Sequence, residues 1–426
     1  MTTLILAIAL TAFLVEVARR LAPAIGLVDA PDQRKAHKGE IPLVGGIGIY
    51  AALLIVTAYT GLIAEHWPFI VSGTLLVLIG MLDDVFGMSP VTRLLLQTAS
   101  VLFLCIAGNV YLSDLGGIIP GTSEFKLGIM SIPFTVFAGV GIINAFNMSD
   151  GVDGLCGTLT LFALFGFGIV AYVAGMQSEL LMIGILGGAL IGFLMFNLRL
   201  PGRQQAAVFL GDAGSYLLGL SVLYFAMKLS QGEPRAMTPV SALWFCMLPL
   251  FDTGGMILRR IRRGRSPFSP DREHIHHVFL LAKFSVSQTL IVLAVVSLSG
   301  VAIGVTGLLL GVPESIMLAG FVAGATMYYL MIMRAWRVMK FLRRSINRRE
   351  EVVTDRRSGK DRRQSTSIAY VNGVPVERRS GEDRRDANSD RRGNNEEEQQ
   401  SAKVTVLVKR SESKRPGSRA ARTTSS

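Results

Sequence analysis

Apolar runs of helical length recur from the first residues to about Arg334, separated by short polar stretches rich in glycine, proline and charge. Runs of that length with little charge predict spanning helices. Eleven are expected, at about 2–18, 43–63, 68–82, 94–112, 129–147, 156–175, 180–198, 207–227, 238–258, 287–310 and 315–333. Some are shorter than the roughly 20 residues a bilayer core requires, so they must tilt or be shielded by neighbours. Backbone amides in lipid must be satisfied within the chain, so the expected fold class is an all-α polytopic integral membrane protein. The first run, Leu4–Val17, lacks a preceding basic region and is followed by Arg19-Arg20. That order fits a first span with its N-terminus outside better than a cleavable signal.

Charge divides the chain and orients it. Residues 1–333 hold 18 basic and 18 acidic residues, whereas 334–426 hold 25 and 13 and carry the whole net charge of +12. The loops 19–42, 83–93, 148–155, 199–206 and 259–286 contain fifteen of the first eighteen Lys and Arg. Basic loops stay in the cytoplasm. With eleven spans, the C-terminal tail is then cytoplasmic too. Three parts follow: a membrane domain over 1–335, a basic interfacial segment over 336–350 and a disordered basic tail over 351–426. Cys105, Cys156 and Cys246 lie in apolar segments without metal-ligand spacing and read as small buried residues.

The acidic motifs gather on the cytoplasmic side. Asp83-Asp84 ends the third run. Adjacent carboxylates at a membrane boundary repel, so they are either a solvated helix end or a place for a cation or phosphate chemistry. Magnesium suits carboxylate and phosphate oxygens. Asp150-Gly-Val-Asp153-Gly154 is a second pair, whose glycines permit a tight turn. Asn144 and Asn147 share a face of the incoming helix and can serve either an oxyanion or sugar, or a neighbouring helix. Gly211-Asp212-Ala-Gly214-Ser215 opens the eighth span, where backbone amides attract phosphate and a carboxylate could ligate a bridging metal. No Walker sequence and no Gly-x-Ser-x-Gly elbow is present, which disfavours an ordinary ATPase or a Ser215 hydrolase.

Two loops add positive charge. Residues 259–286 contain six arginines, among them Arg272, and then His274, His276 and His277. The arginine run reads as an orienting anchor. Arg272 and the histidines suit a diphosphate or proton transfer better than zinc, since no cysteine partners lie nearby. The first loop holds Lys35 and His37, suited to a lipid phosphate, a nucleotide or an interfacial anchor.

With these motifs in place, the chain resembles the polyprenyl-phosphate N-acetylhexosamine-1-phosphate transferases, nearest the bacterial undecaprenyl-phosphate N-acetylglucosamine-1-phosphate branch. The segments that carry the resemblance are Asp29–Gly46, Leu82-Asp83-Asp84, Asn144–Leu155, Phe209–Ser215 and Ser266–His277, over about residues 1–335. It implies transfer of a sugar-1-phosphate from a UDP-N-acetylhexosamine to undecaprenyl phosphate, with UMP leaving, at the cytoplasmic face of a bacterial inner membrane. The product would initiate a cell-surface polysaccharide. The resemblance makes Asp83, Asp84, Asp150 and Asp153 catalytic and Asp84 and Asp212 ligands of Mg2+, for which Mn2+ could substitute. It assigns Asn144, Asn147, Lys35, His37, Arg272, His274, His276 and His277 to substrate. The short Arg-Glu-His-Ile-His-His motif favours a simple UDP-HexNAc, with N-acetylglucosamine the default, over a muramoyl-pentapeptide substrate.

The tail lies beyond the resemblance. Asp355–Arg363 recurs as Glu377–Arg385, with a fragment at Asp390-Arg-Arg392. Anionic membrane lipids are its expected partner, polysaccharide-synthesis proteins a second, and nucleic acid the least favoured. A homodimer is left open. The alternative to a transferase is an ion-coupled transporter using the cytoplasmic-face acids, although transporters place such groups near the midplane, often with repeat symmetry.

Overall fold

The computed structural model describes residues 2–29, 39–266, 274–357, 368–371 and 374–377. Lys35, His37 and Arg272 lie outside the described residues. The chain divides into two units, Met1–Arg343 and Arg344–Ser426.

The first unit is helical: α1 (Thr2–Leu21), α2 (Gly45–Tyr59), α3 (Ile63–Phe86), α4 (Pro90–Ile106), α5 (Ser131–Met148), α6 (Leu155–Val173), α7 (Gln177–Asn197), α8 (Gly211–Ser230), α9 (Pro239–Phe245), α10 (Met247–Arg262), α11 (Ile275–Leu281), α12 (Val286–Leu309) and the start of α13 (Glu314–Arg357). Among the described residues of this unit the only paired strands are β1 (Val28–Asp29) and β2 (Ile41–Pro42), a short antiparallel pair. Among the described residues, seven helical segments are long and apolar enough to cross a membrane, and an eighth if a bent pair counts as one. The other expected spans, 2–18, 43–63 and 94–112, overlap α1, α2 and α4, the last of which begins and ends several residues earlier than expected, at Pro90 and Ile106. Of these, α2 has 15 residues and α4 has 17, or about 22 and 26 Å of helix against a core of about 30 Å.

The expected straight span 238–258 is corrected to α9 and α10, which meet at 84°. Pro249 lies in the first turn of α10. In a continuous helix its ring would clash with the carbonyl of residue 245, and its missing N–H would leave that carbonyl unpaired. Breaking at Cys246 removes both problems. The third helix runs beyond the expected 68–82. It begins at Ile63 with a non-helical His66 and ends at Gly87, whose left-handed φ of 65° lets its N–H cap the Asp83 carbonyl at 2.8 Å. Asp83 and Asp84 therefore sit in the last helical turn. Ser89 caps α4, accepting from the Thr92 amide at 3.1 Å, with Pro90 in the first helical position.

α8 is the centre of the unit. Its spanning window is 89% buried, against 11% for the first 22 residues of α13. It packs on α2, α3, α5 and α6. Small residues make this possible, as expected where helices associate without a hydrophobic drive. A Cβ on Gly80 would run into the backbone of Ala213, and one on Gly46 into that of Gly214. The start of α2 is also tied to the approach to α8: Gly45 N–H donates to the Phe209 carbonyl at 3.0 Å and Gly46 N–H to that of Leu210 at 2.9 Å.

In the second unit, β3 (Ile368–Val371) pairs antiparallel with β4 (Val374–Glu377). The β-branched residues on both sides of Asn372-Gly373, a strong hairpin dipeptide, are the sequence signal for it.

Candidate active site

Three helix ends converge. The last turn of α3, the end of α5 with the loop after it, and the first turn of α8 bring Asp83, Asp84, Asn147, Asp150, Asp212 and Ser215 together. α3 and α8 pack with the C-terminal turn of one against the N-terminal turn of the other. Asp84 therefore meets amides that a helix start leaves unpaired. Its Oδ1 accepts from the Asp212 N–H at 2.9 Å and its Oδ2 from the Ala213 N–H at 3.4 Å. Those two amides, expected to draw a phosphate, are already taken by a carboxylate. Gly211 makes the approach possible: its φ is 74°, and a Cβ there would stand 2.6 Å from Asp84 Oδ2.

Asp83 is anchored on all sides and 4% exposed. Its Oδ1 accepts from the Met88 N–H at 2.8 Å. Its Oδ2 accepts from the Tyr216 hydroxyl at 2.8 Å and pairs with Arg93 Nε at 3.0 Å. The other arm of Arg93 reaches Asp212 Oδ2 at 4.0 Å. Asn147 Nδ2 donates to Asp212 Oδ1 at 2.6 Å and to Ser215 Oγ at 2.9 Å. Asp212 thus has a neutral donor on one oxygen and a guanidinium near the other.

Asp150 differs from its neighbours. Among the described residues no donor bonds its carboxylate. Its pKa is pushed well above the carboxylate range, first by removal from water and then by the charges of Asp212, Asp84 and Asp153. Asp153 is turned away from the cluster: its Oδ2 pairs with Arg199 Nε at 2.7 Å and accepts from the Ala206 N–H at 3.2 Å. Asn144 also points elsewhere, its amide donating to Gln97 Oε1 at 2.7 Å and to the Val140 carbonyl at 2.8 Å.

The histidines reach the cluster through a glycine. A Cβ on Gly151 would collide with His276 Nε2, which places that ring beside the Asp150 loop. His276 is 2% exposed. Burial, then the neighbouring His277, pushes its pKa down to about 3, so it is a neutral imidazole at physiological pH. The His276 and His277 ring centroids are 4.3 Å apart. His274 Nδ1 lies 2.8 Å from Asp252 Oδ2.

Arg93, Tyr216 and Asp252 are residues that sequence reasoning did not single out. Arg93 looked like one more orienting cation, and Tyr216 sits inside an apolar run. Asp252 did carry a signal, because a lone carboxylate in an apolar helix is costly unless it has a function or a partner. Among the described residues no three His, Cys, Asp or Glu side chains are grouped to hold a metal by themselves. The donor set does suit a hard cation: Asp84, Asp150 and Asp212 bring carboxylate oxygens and mutual repulsion to one place, and phosphate oxygens and water commonly complete such a shell.

The model of glycosyl transferase family 4 matches residues 66–230, from α3 to the end of α8. Undecaprenyl-phosphate alpha-N-acetylglucosaminyl 1-phosphate transferases are similar over most of both chains. The protein of Escherichia coli O157:H7 is 38% identical over 329 residues, 77% of this chain and 89% of its own. That of Yersinia pestis is 39% identical over 330 residues, covering 77% and 90%. That of Haemophilus influenzae is 37% identical over 329 residues, covering 77% and 92%. Matches of this extent, spanning every helix that contributes to the cluster, show that the chain belongs to glycosyl transferase family 4.

Proposed function

We propose that the protein transfers N-acetylglucosamine-1-phosphate from UDP-N-acetylglucosamine to undecaprenyl phosphate, releasing UMP and leaving undecaprenyl-diphospho-N-acetylglucosamine to initiate a cell-surface polysaccharide. The observation that carries this reading is the convergence of Asp84, Asp150 and Asp212 beside Arg93 at one end of the helix bundle. Acids at helix ends fit cytoplasmic chemistry on anionic substrates and do not fit the midplane sites of ion-coupled transport. Eleven spans, an outside N-terminus and a bacterial inner-membrane location belong to the same proposal, supported by the basic loops.

In the reaction an oxygen of the lipid phosphate bonds to the sugar-bearing phosphorus, the bond from that phosphorus to the bridging oxygen breaks, and UMP leaves with the electron pair. The obstacle is like charge on two phosphates, and positioned opposite charge supplies most of the catalysis. Asp84 and Asp212 would hold Mg2+, which would neutralise the phosphate oxygens when bound. Arg93 bridges Asp83 and Asp212 with its planar fork and offers positive charge at the same place. Asp150, with no hydrogen bond to its carboxylate and a raised pKa, is suited to take the last proton of the lipid phosphate. Asp83, already accepting from Met88 and Tyr216, is suited to fix the end of α3. Asp153 ties the Asp150 loop to Arg199.

The test uses purified full-length protein in detergent with undecaprenyl phosphate, Mg2+ and separate UDP-sugars, reading UMP and the lipid product. Lipid-dependent UMP with UDP-N-acetylglucosamine is expected. Its absence with every UDP-N-acetylhexosamine would end the transferase reading.

A further inference from the structure

Asp252 lies on α10 within the apolar stretch Leu248-Pro-Leu-Phe-Asp252 and is 6% exposed. A carboxylate so sheltered persists only where donors satisfy it. Three donors from two other elements do so. His274 Nδ1 stands 2.8 Å from Oδ2, while the Ile275 N–H and the Tyr328 hydroxyl donate to Oδ1 at 3.0 and 2.8 Å. Tyr328 comes from α13, and His274 and Ile275 are the N-cap and first residue of α11.

This arrangement fixes more than a contact. An ionised carboxylate only accepts, so the proton of His274 is on Nδ1 and the Nε2 edge is left for another partner. α11 has seven residues, too short to hold its own direction, and one of its unpaired first amides ends on Asp252. The His274 and His276 rings lie nearly parallel, 2° apart in plane at 5.6 Å. His276 in turn abuts Gly151, next to Asp150. A rigid path thus runs from Asp252 through His274 and α11 to the acidic cluster.

We infer that Asp252 is a positioning residue, which sets the tautomer of His274 and the direction of α11 so that the histidine face meets the diphosphate of the nucleotide sugar. The substrate half of this inference rests on the transferase reading; the tautomer half does not.

Asp252→Asn separates the two oxygens chemically at nearly constant volume. The Ile275 N–H can only donate and so keeps an acceptor at the Oδ1 position, where the Tyr328 hydroxyl can go on donating, and the new amide nitrogen turns toward His274. It can only donate there, which forces Nδ1 to accept and moves the proton to Nε2. The experiment follows the imidazole nitrogens of 15N-histidine-labelled full-length protein in detergent, with His274 identified by loss of its signal in His274→Gln. Nδ1–H is expected in the wild type, Nε2–H in Asp252→Asn, and Nδ1–H again in Asp252→Glu. Calorimetric affinity for UDP-N-acetylglucosamine without lipid should fall at least tenfold in Asp252→Asn and recover largely in Asp252→Glu, with KM for undecaprenyl phosphate within threefold. Nε2–H in the wild type overturns the inference, as does unchanged nucleotide-sugar affinity in a folded Asp252→Asn protein. If that variant does not fold, the wild-type tautomer still decides, together with Tyr328→Phe. That change removes one of three donors and should leave the His274 proton in place; an altered tautomer would overturn the assignment. A wild type that binds no UDP-sugar would refute the transferase reading while leaving the tautomer result to stand by itself.

Discussion

Replacing Asp84 by asparagine tests whether its charge, rather than its shape, is needed. The carboxylate accepts the Asp212 N–H at 2.9 Å and the Ala213 N–H at 3.4 Å. Asparagine keeps the shorter contact through its carbonyl oxygen and turns an amide group to the longer one. A hydrogen bond to a charged group contributes about 1.5–3 kcal/mol and a neutral one about 0.5–1.5 kcal/mol. Favourable interaction of the carboxylate with the α8 start, worth about 0.3–1 kcal/mol, is also lost. Against this, the substitution relieves repulsion from Asp212 and Asp83, which face the same carboxylate. Net destabilisation should therefore stay within about 2 kcal/mol and leave the fold intact. Turnover should respond far more, because one of the two carboxylates proposed to hold the cation loses its charge: a loss of about a thousandfold corresponds to about 4 kcal/mol of barrier. The assay pairs thermal unfolding in detergent with single-turnover UMP release. Turnover within tenfold of wild type, in a protein that melts normally, would refute the reasoning.

Other consequences can be measured alongside. Arg93→Lys keeps the charge but cannot span Asp83 and Asp212 with one nitrogen, so kcat should drop at least tenfold, and further in Arg93→Ala; equal activity of the lysine variant would argue against a forked role. The raised pKa of Asp150 means that the fold favours its neutral form, so the wild type gains stability at low pH and loses it as pH rises through that value. Asp150→Asn should accordingly be the more stable protein at alkaline pH and lose that advantage on acidification, and a pH-independent difference in melting would contradict the assignment. The same variant should lose turnover by about a hundredfold or more, in line with general-base catalysis. Chelation by EDTA should abolish UMP release, with Mg2+ restoring it and Mn2+ substituting; undiminished activity after exhaustive chelation would exclude the cation.

Hydrophobic spacing alone determined that the first 335 residues are mainly helical, with at least seven helices long and apolar enough to cross a membrane among the described residues, because lipid forces the backbone to satisfy itself within each segment. The same spacing located the acids of the cluster, since paired carboxylates at a membrane boundary repel unless a cation, a donor or solvent offsets their charge. It could not tell that α9 and α10 are two helices, because the apolar run continues unbroken through Pro249; the proline, which cannot sit in a helix interior, was the local signal that spacing passes over. Nor could it sort the motif residues by role. Asn144 and Asn147 share a helix face in sequence, yet Gln97 on α4 takes one and Asp212 on α8 takes the other. Asp150 and Asp153 look alike on paper, but Arg199 claims only the second.

Arg93 and Tyr216 entered only through packing, and packing supplied the partners of Asp252. A partner 133 residues away, as Tyr216 is from Asp83, leaves no local trace, and Arg93, ten residues from Asp83, is joined to Asp212 only by the packing of α8. Sequence thus determined which chemistry the chain carries and at which helix ends it lies, through composition and periodicity. The tertiary structure decided which oxygen faces which donor, because that depends on how closely glycines let α2, α3 and α8 approach.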